Sequence, residues 1–152
     1  MSIHENPKGN KNTEELLNTL NAADSVRALE QYVEKLDQEA YPCSFRDYFL
    51  SCPQVEALGK AEVIRRSGLD RTYGYQILSG LKEPSRDKLL CLCLAAGLDD
   101  MQTRRVLELA KTGILYARNR RDSVILFAIR KGLSVIDTNL LLAEFGEDTL
   151  ST

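Results

Sequence analysis

Apolar residues recur at helical spacing over most of the chain, and no stretch shows the sustained alternation of a β-strand. From Thr13, a good N-cap followed by Glu14 and Glu15, Leu16, Leu17 and Leu20 make a short apolar face; Val26, Leu29, Val33 and Leu36 then repeat at three- and four-residue steps. The pattern breaks over 37–42, so 13–39 is expected to be an amphipathic helical hairpin or one kinked helix. Ser44 should cap a helix with Phe45, Phe49 and Leu50 inside, ended by Cys52-Pro53. Short helices are then predicted over 60–67 and 71–79, stopped by Gly68 and Gly80, and a longer one from Ser85 to Gly97. Asp99 or Asp100 should open a helix reaching about Lys111. Residues 115–131 should form another, ending at Gly132, and Ser134 should cap a last one up to Gly146, with Asp137 at the capping-box position.

The expected organisation is a polar, disordered tail over 1–12, an amphipathic helical segment over 13–42, a helical domain over 43–113 and a helical extension over 114–152. No apolar run approaches the roughly 18 residues of a membrane helix, and the polar N-terminus lacks a signal-peptide core, so a cytoplasmic protein without membrane contact is expected.

Candidate chemistry narrows quickly. The one histidine, His4, lies in the polar tail, which makes a nucleophilic Ser-His-Asp or Cys-His set implausible. No glycine-rich phosphate cradle is present. Cys91 and Cys93 are two apart on a helical run and point to nearly opposite sides; with Cys43 and Cys52 they show no zinc spacing and are read as reduced core residues. Neither an enzyme nor a cofactor or metal is expected.

The net charge is −2, but it is unevenly spread. Residues 1–43 carry 4 basic and 8 acidic side chains, residues 44–97 carry 8 and 6, and residues 98–152 carry 8 of each. The middle segment is therefore the basic one. The densest basic run, Arg118-Asn119-Arg120-Arg121-Asp122, could grip phosphates or an acidic partner, or be a solvated helix start with local pairing to Asp122.

The stretch KAEVIRRSGLDRTYGYQILSGLKEPSRDKLLCLCLAAGL over 60–97 contains a Gly turn, an apolar plug at Leu69, a cap at Asp70, a Gly stop at Gly80 and an apolar helix after Pro-Ser. It resembles the Cro/phage-repressor (XRE) helix-turn-helix family, most sharply over 60–97 and at fold level over about 44–112. The resemblance implies an all-α, five-helix DNA-binding domain, here with extra N-terminal and C-terminal helices. It implies a transcriptional regulator whose second helix enters the major groove of double-stranded DNA. On this resemblance the base-reading residues are Arg71, Thr72, Tyr75 and Gln76, and the phosphate contacts are Lys60, Lys82 and Ser79. Arg suits guanine and Gln suits adenine, each through two hydrogen bonds. Tyr73 is open between core and surface, and Arg65-Arg66 reads better as a solvated face than as a contact.

The chain departs from the family at two positions: Ile64 stands where a small Ala is usual and Gly74 where a β-branched residue is usual. If they face one another, large and small have been exchanged at constant volume. The C-terminal block of Val124, Ile125, Leu126, Phe127 and Ile129 is apolar around most of its girth and needs cover, from a second subunit or from the same chain. A homodimer through the C-terminal helices is expected. The alternative function is a helix-turn-helix scaffold repurposed to bind a protein partner in signalling.

Overall fold

A computed structural model describes residues 25–38 and 44–151. The described residues form nine helices and no strand. They belong to two separate units, divided between Cys43 and Ser44. None of these helices is long and apolar enough to cross a membrane. The expected tail and the leucines at 16, 17 and 20 lie outside the described residues.

The first unit contributes α1, Val26–Gln38, whose N-terminus is capped by Ser25 Oγ accepting from the Ala28 N–H at 3.1 Å. The expected hairpin or kink that would join this helix to residues 13–24 lies outside the described residues.

The second unit opens with α2, Phe45–Ser51, capped by Ser44 and burying Phe45 and Phe49. Cys52-Pro53 ends α2 as expected, but Pro53 also begins an unforeseen short helix, α3, Pro53–Leu58. Proline's fixed φ suits a first helical position, where its missing N–H has no partner to lose. Then follow α4, Lys60–Ser67, α5, Arg71–Ser79, and α6, Arg86–Ala96. Next comes α7, Asp100–Ala110, opened by a reciprocal capping box between Asp99 and Gln102.

The helix expected over 115–131 begins later, as α8, Arg120–Lys131. Asn119 is its cap, accepting from the Asp122 N–H, and the Tyr116 N–H is already held by the Asp122 carboxylate at 3.0 Å, so the chain before it makes a turn, closed by the Asn119 N–H on the Tyr116 carbonyl, instead of a helix. The last helix is α9, Val135–Glu144, capped by Ser134.

The core is built on α6. Every residue from Leu89 to Ala96 is buried, because α3, α4, α7 and α9 surround it. Burying one such leucine contributes on the order of 1.5–3 kcal/mol. Cys52, Cys91 and Cys93 are buried free thiols within this core, and burial pushes Cys91 up to about 12. Helix α8 turns Val124, Ile125, Ala128 and Ile129 inward, so much of the apolar block is covered by its own chain. Phe127, Ile136, Leu140 and Phe145 stay exposed.

Candidate nucleic-acid interface

Helices α4 and α5 are joined by three residues, and each has a physical task. Gly68 adopts φ 78°, which ends α4 and reverses the chain. Leu69 is buried beneath the turn. The Asp70 carboxylate accepts from the Tyr73 N–H at 3.1 Å and starts α5. Ser67, fully buried, donates to the Ile64 carbonyl at 2.6 Å and accepts from the Leu69 N–H at 3.2 Å, so the turn carries no orphaned hydroxyl.

The two helices meet at Ile64 and Gly74. A Cβ added to Gly74 would lie 2.6 Å from Ile64 Cγ2 and 3.1 Å from Cγ1. The two residues thus face one another across the crossing, as the sequence departure required. Ile64 is branched at Cβ and cannot swing aside easily. Val63 and Ile77, from the same two helices, are fully buried.

With Gly74, Ile77 and Leu78 turned inward, α5 presents Arg71, Thr72, Tyr75, Gln76 and Ser79 on its other side. Thr72, Tyr75, Gln76 and Ser79 line one open concavity of about 370 Å³, together with Lys60 from the start of α4. Leu81, 75% exposed, lines it as well. Arg71 lies in an adjoining hollow of about 850 Å³ that shares Lys60, with its guanidinium carbon 5.9 Å from the Tyr75 ring centre. Five of the seven expected contact residues are therefore gathered on one wall and Arg71 is next to it. Lys82 is exposed but does not line the concavity. Tyr73 is half-buried, with Lys88 Nζ 5.2 Å from its ring centre.

Three cations near this surface, Lys60, Arg71 and Lys82, enter no ion pair among the described residues, whereas Arg65 and Arg66 do. Both donate to Glu62, at 2.6–2.9 Å, and these hydrogen bonds lower the Glu62 carboxyl to about 2. The local acids are thus occupied: Glu62 by these arginines, Asp70 as a cap, and Glu83 by Arg46.

Arg46 is a positioning residue that the sequence reading missed. Its side chain reaches from α2 to the C-terminal end of α5. Nε donates to the Ile77 carbonyl at 2.7 Å, and Nη2 donates to the Lys82 carbonyl and to Glu83, both at 3.0 Å. Its guanidinium sits 4.4 Å from the Phe45 ring centre. These bonds fix the end of α5 and the loop that follows it. Its partners lie more than 30 residues away, so no local signal marks it.

The dense basic run at 118–122 is used differently. Arg121 binds the Asp87 carboxylate through two hydrogen bonds at 3.0 and 3.1 Å, and also donates to the carbonyls of Asp148 and Thr149. Reciprocally, Arg86 holds Asp122 at 2.7 and 3.2 Å. Arg120 reaches the Phe145 carbonyl and Glu147. The adjacent pairs Arg86-Asp87 and Arg121-Asp122 are therefore crossed into a clasp between the first turns of α6 and α8. The expected local pairing with Asp122 is not what forms: Asp122 is held by Arg86, and Arg120 and Arg121 find their partners at Phe145, Glu147, Asp87, Asp148 and Thr149.

Among the described residues, no group of three or more His, Cys, Asp or Glu side chains is placed to hold a metal ion. Comparison of the chain with protein-family models, with curated proteins and with solved structures returns no match.

Proposed function

We propose that the chain is a sequence-specific regulator that binds duplex DNA, with α4 and α5 as a helix-turn-helix of the phage-repressor type. Helices α2, α4, α5, α6 and α7 would be its five helices, with α3 a short addition. The observation that carries this reading is the outward wall of Lys60, Thr72, Tyr75, Gln76 and Ser79, with Arg71 next to it; Lys60, Arg71 and the exposed Lys82 enter no ion pair among the described residues. A wall of this kind meets two separate demands of DNA recognition. Cations neutralise phosphates and position the protein, while Arg, Gln and Thr side chains read base edges. The regulator would work in the cytoplasm, where its DNA is, and as a homodimer on two-fold sites.

The test is selection of binding sites from random duplex at fixed salt, followed by anisotropy titration of the best site. Gln76→Ala and Arg71→Ala should each weaken binding to that site by about 1–3 kcal/mol while leaving binding to random duplex much less changed. Lys60→Ala should weaken both alike and flatten the salt dependence by about one phosphate contact. Affinity for every duplex weaker than about 10⁻⁴ M at low salt would overturn the reading.

A second reading rests on Leu81. A leucine that is 75% exposed in the lining of the concavity suits an apolar protein surface better than a phosphate backbone. On that reading the fold is a scaffold for a protein partner, and Leu81→Ser would disrupt the complex while Lys60→Ala would not.

A further inference from the structure

We propose that α1 associates with α1 of a second copy of this chain as a short parallel two-stranded coiled coil. Val26, Leu29, Val33 and Leu36 recur in the sequence of α1 at three- and four-residue steps, and the backbone from Val26 to Gln38 is one continuous helix. In heptad terms Val26 and Val33 hold position a, and Leu29 and Leu36 hold position d. A β-branched residue at a with leucine at d is the combination that favours two parallel strands over three or four.

The other positions of the helix say what kind of surface the partner is. A helix that docks on a globular core carries a broad apolar stripe, with three or four apolar positions in every two turns. In α1 the remaining positions are Arg27, Ala28, Glu30, Gln31, Tyr32, Glu34, Lys35, Asp37 and Gln38, so the apolar residues are confined almost to the a/d seam. A seam that narrow matches another helix of the same kind.

Val26 is 72% exposed, and Leu29 and Val33 are 43% and 46% exposed. A 13-residue helix is marginal in water without tertiary support. Pairing on the seam would add to its support. Charge fixes the direction. Both e positions, Glu30 and Asp37, are acidic. An antiparallel pair sets e beside e and brings like charges together, whereas a parallel pair sets e beside g, which is Tyr32 or Ser25.

The proposal does not rest on the DNA-binding reading. It competes with the exposed apolar residues Phe127 of α8, Ile136 and Leu140 of α9, and Phe145 just after α9, as the seat of self-association. The experiment uses the full chain. Sedimentation over a micromolar concentration range should show a reversible shift from 17.1 kDa towards twice that mass. Leu29→Glu should abolish the shift, and because residues 44–152 form a separate unit their thermal unfolding should not move. In a Cys43→Ser background, Val33→Cys should give a disulfide-linked dimer under mild oxidation, and Gln31→Cys on the outer face should not. The native thiols at 52, 91 and 93 are buried and will not obscure this. A chain that stays monomeric, a dimer that survives Leu29→Glu, or a dimer in which Val33→Cys fails to cross-link would each overturn the proposal.

Discussion

The first turn of α5 carries one arginine and the first turn of α8 carries two, and they use them in opposite ways. At α5, Arg71 is exposed in a hollow that it shares with Lys60, Lys82 is exposed beyond the other end of the helix, and none of the three has an ion-pair partner among the described residues. At α8, Arg121 is held by Asp87 and two carbonyls, and the Asp122 beside it is 2% exposed and bound by Arg86. The denser basic cluster in the sequence is therefore the one that is used up inside the molecule. Density of like residues along the chain does not locate free charge. What locates it is which carboxylates the fold brings within reach.

The comparison is open to attack by substitution. The largest effect is expected from Asp122→Ala, which leaves Arg86 without its buried partner and also removes the acceptor for the Tyr116 N–H. Breaking a buried pair from one side costs about 3–5 kcal/mol, to be read by denaturant unfolding. Duplex affinity per folded molecule should be unchanged, whereas Gln76→Ala should show the reverse pattern. If Asp122→Ala unfolded no more easily than the parent, the clasp would be ornamental.

Next in size is the α4–α5 crossing. Gly74→Val should overpack the 2.6 Å contact with Ile64 and cost about 1–3 kcal/mol. Ile64→Ala alone should leave a cavity and cost about 2–5 kcal/mol. The double variant should be more stable than the sum of the two losses predicts; simple additivity would show that the pair does not share one space.

A smaller effect is expected from acid. Burial alone would raise the Asp87 carboxyl, but hydrogen bonds from Arg121 and the Ser151 N–H, with the charges of Arg121 and Arg86, outweigh it and leave the group below its ordinary value of 3.8. A carboxyl lowered in the fold stabilises at pH above its unfolded value and loses that contribution as pH falls through the folded one. Stability should therefore drop on acidification from about pH 4 downward, and Asp87→Asn should blunt that part of the drop. Smallest of all, Arg120→Ala should cost under about 1 kcal/mol, since its side chain is 69% exposed and exposed ion pairs contribute little.

Much of the helical plan was legible because its signals are local. Ser44, Asp70, Ser85, Asp99 and Ser134 each cap a helix through an oxygen that accepts from a backbone N–H three residues on, and that spacing can be read in one dimension. The Ile64–Gly74 pair was legible for a different reason: a departure from an expected size pattern at one position had its complement at another. Two things were not legible. The start of α8 moved because Asn119 and Asp122 organise a turn whose main partner, Arg86, is 36 residues away. Arg46 was invisible because its task is to bind carbonyls, and every residue has one of those. On the recognition surface, residue types were readable, but which of them share a wall depends on how α4 is set against α5.

The crossed arginine–aspartate clasp has a consequence for anyone who shortens this chain. A truncation after Gly113 would cut within a loop and remove no residue of α2 to α7. It would nevertheless strip Arg86 and Asp87 of their partners and uncover the face of α6 that α9 packs against. Such a fragment would carry the whole candidate DNA surface on a core with one side left open. A soluble minimal fragment should therefore keep α8 and α9, or replace Arg86, Asp87 and the newly exposed leucines of α6 by polar residues that need no partner.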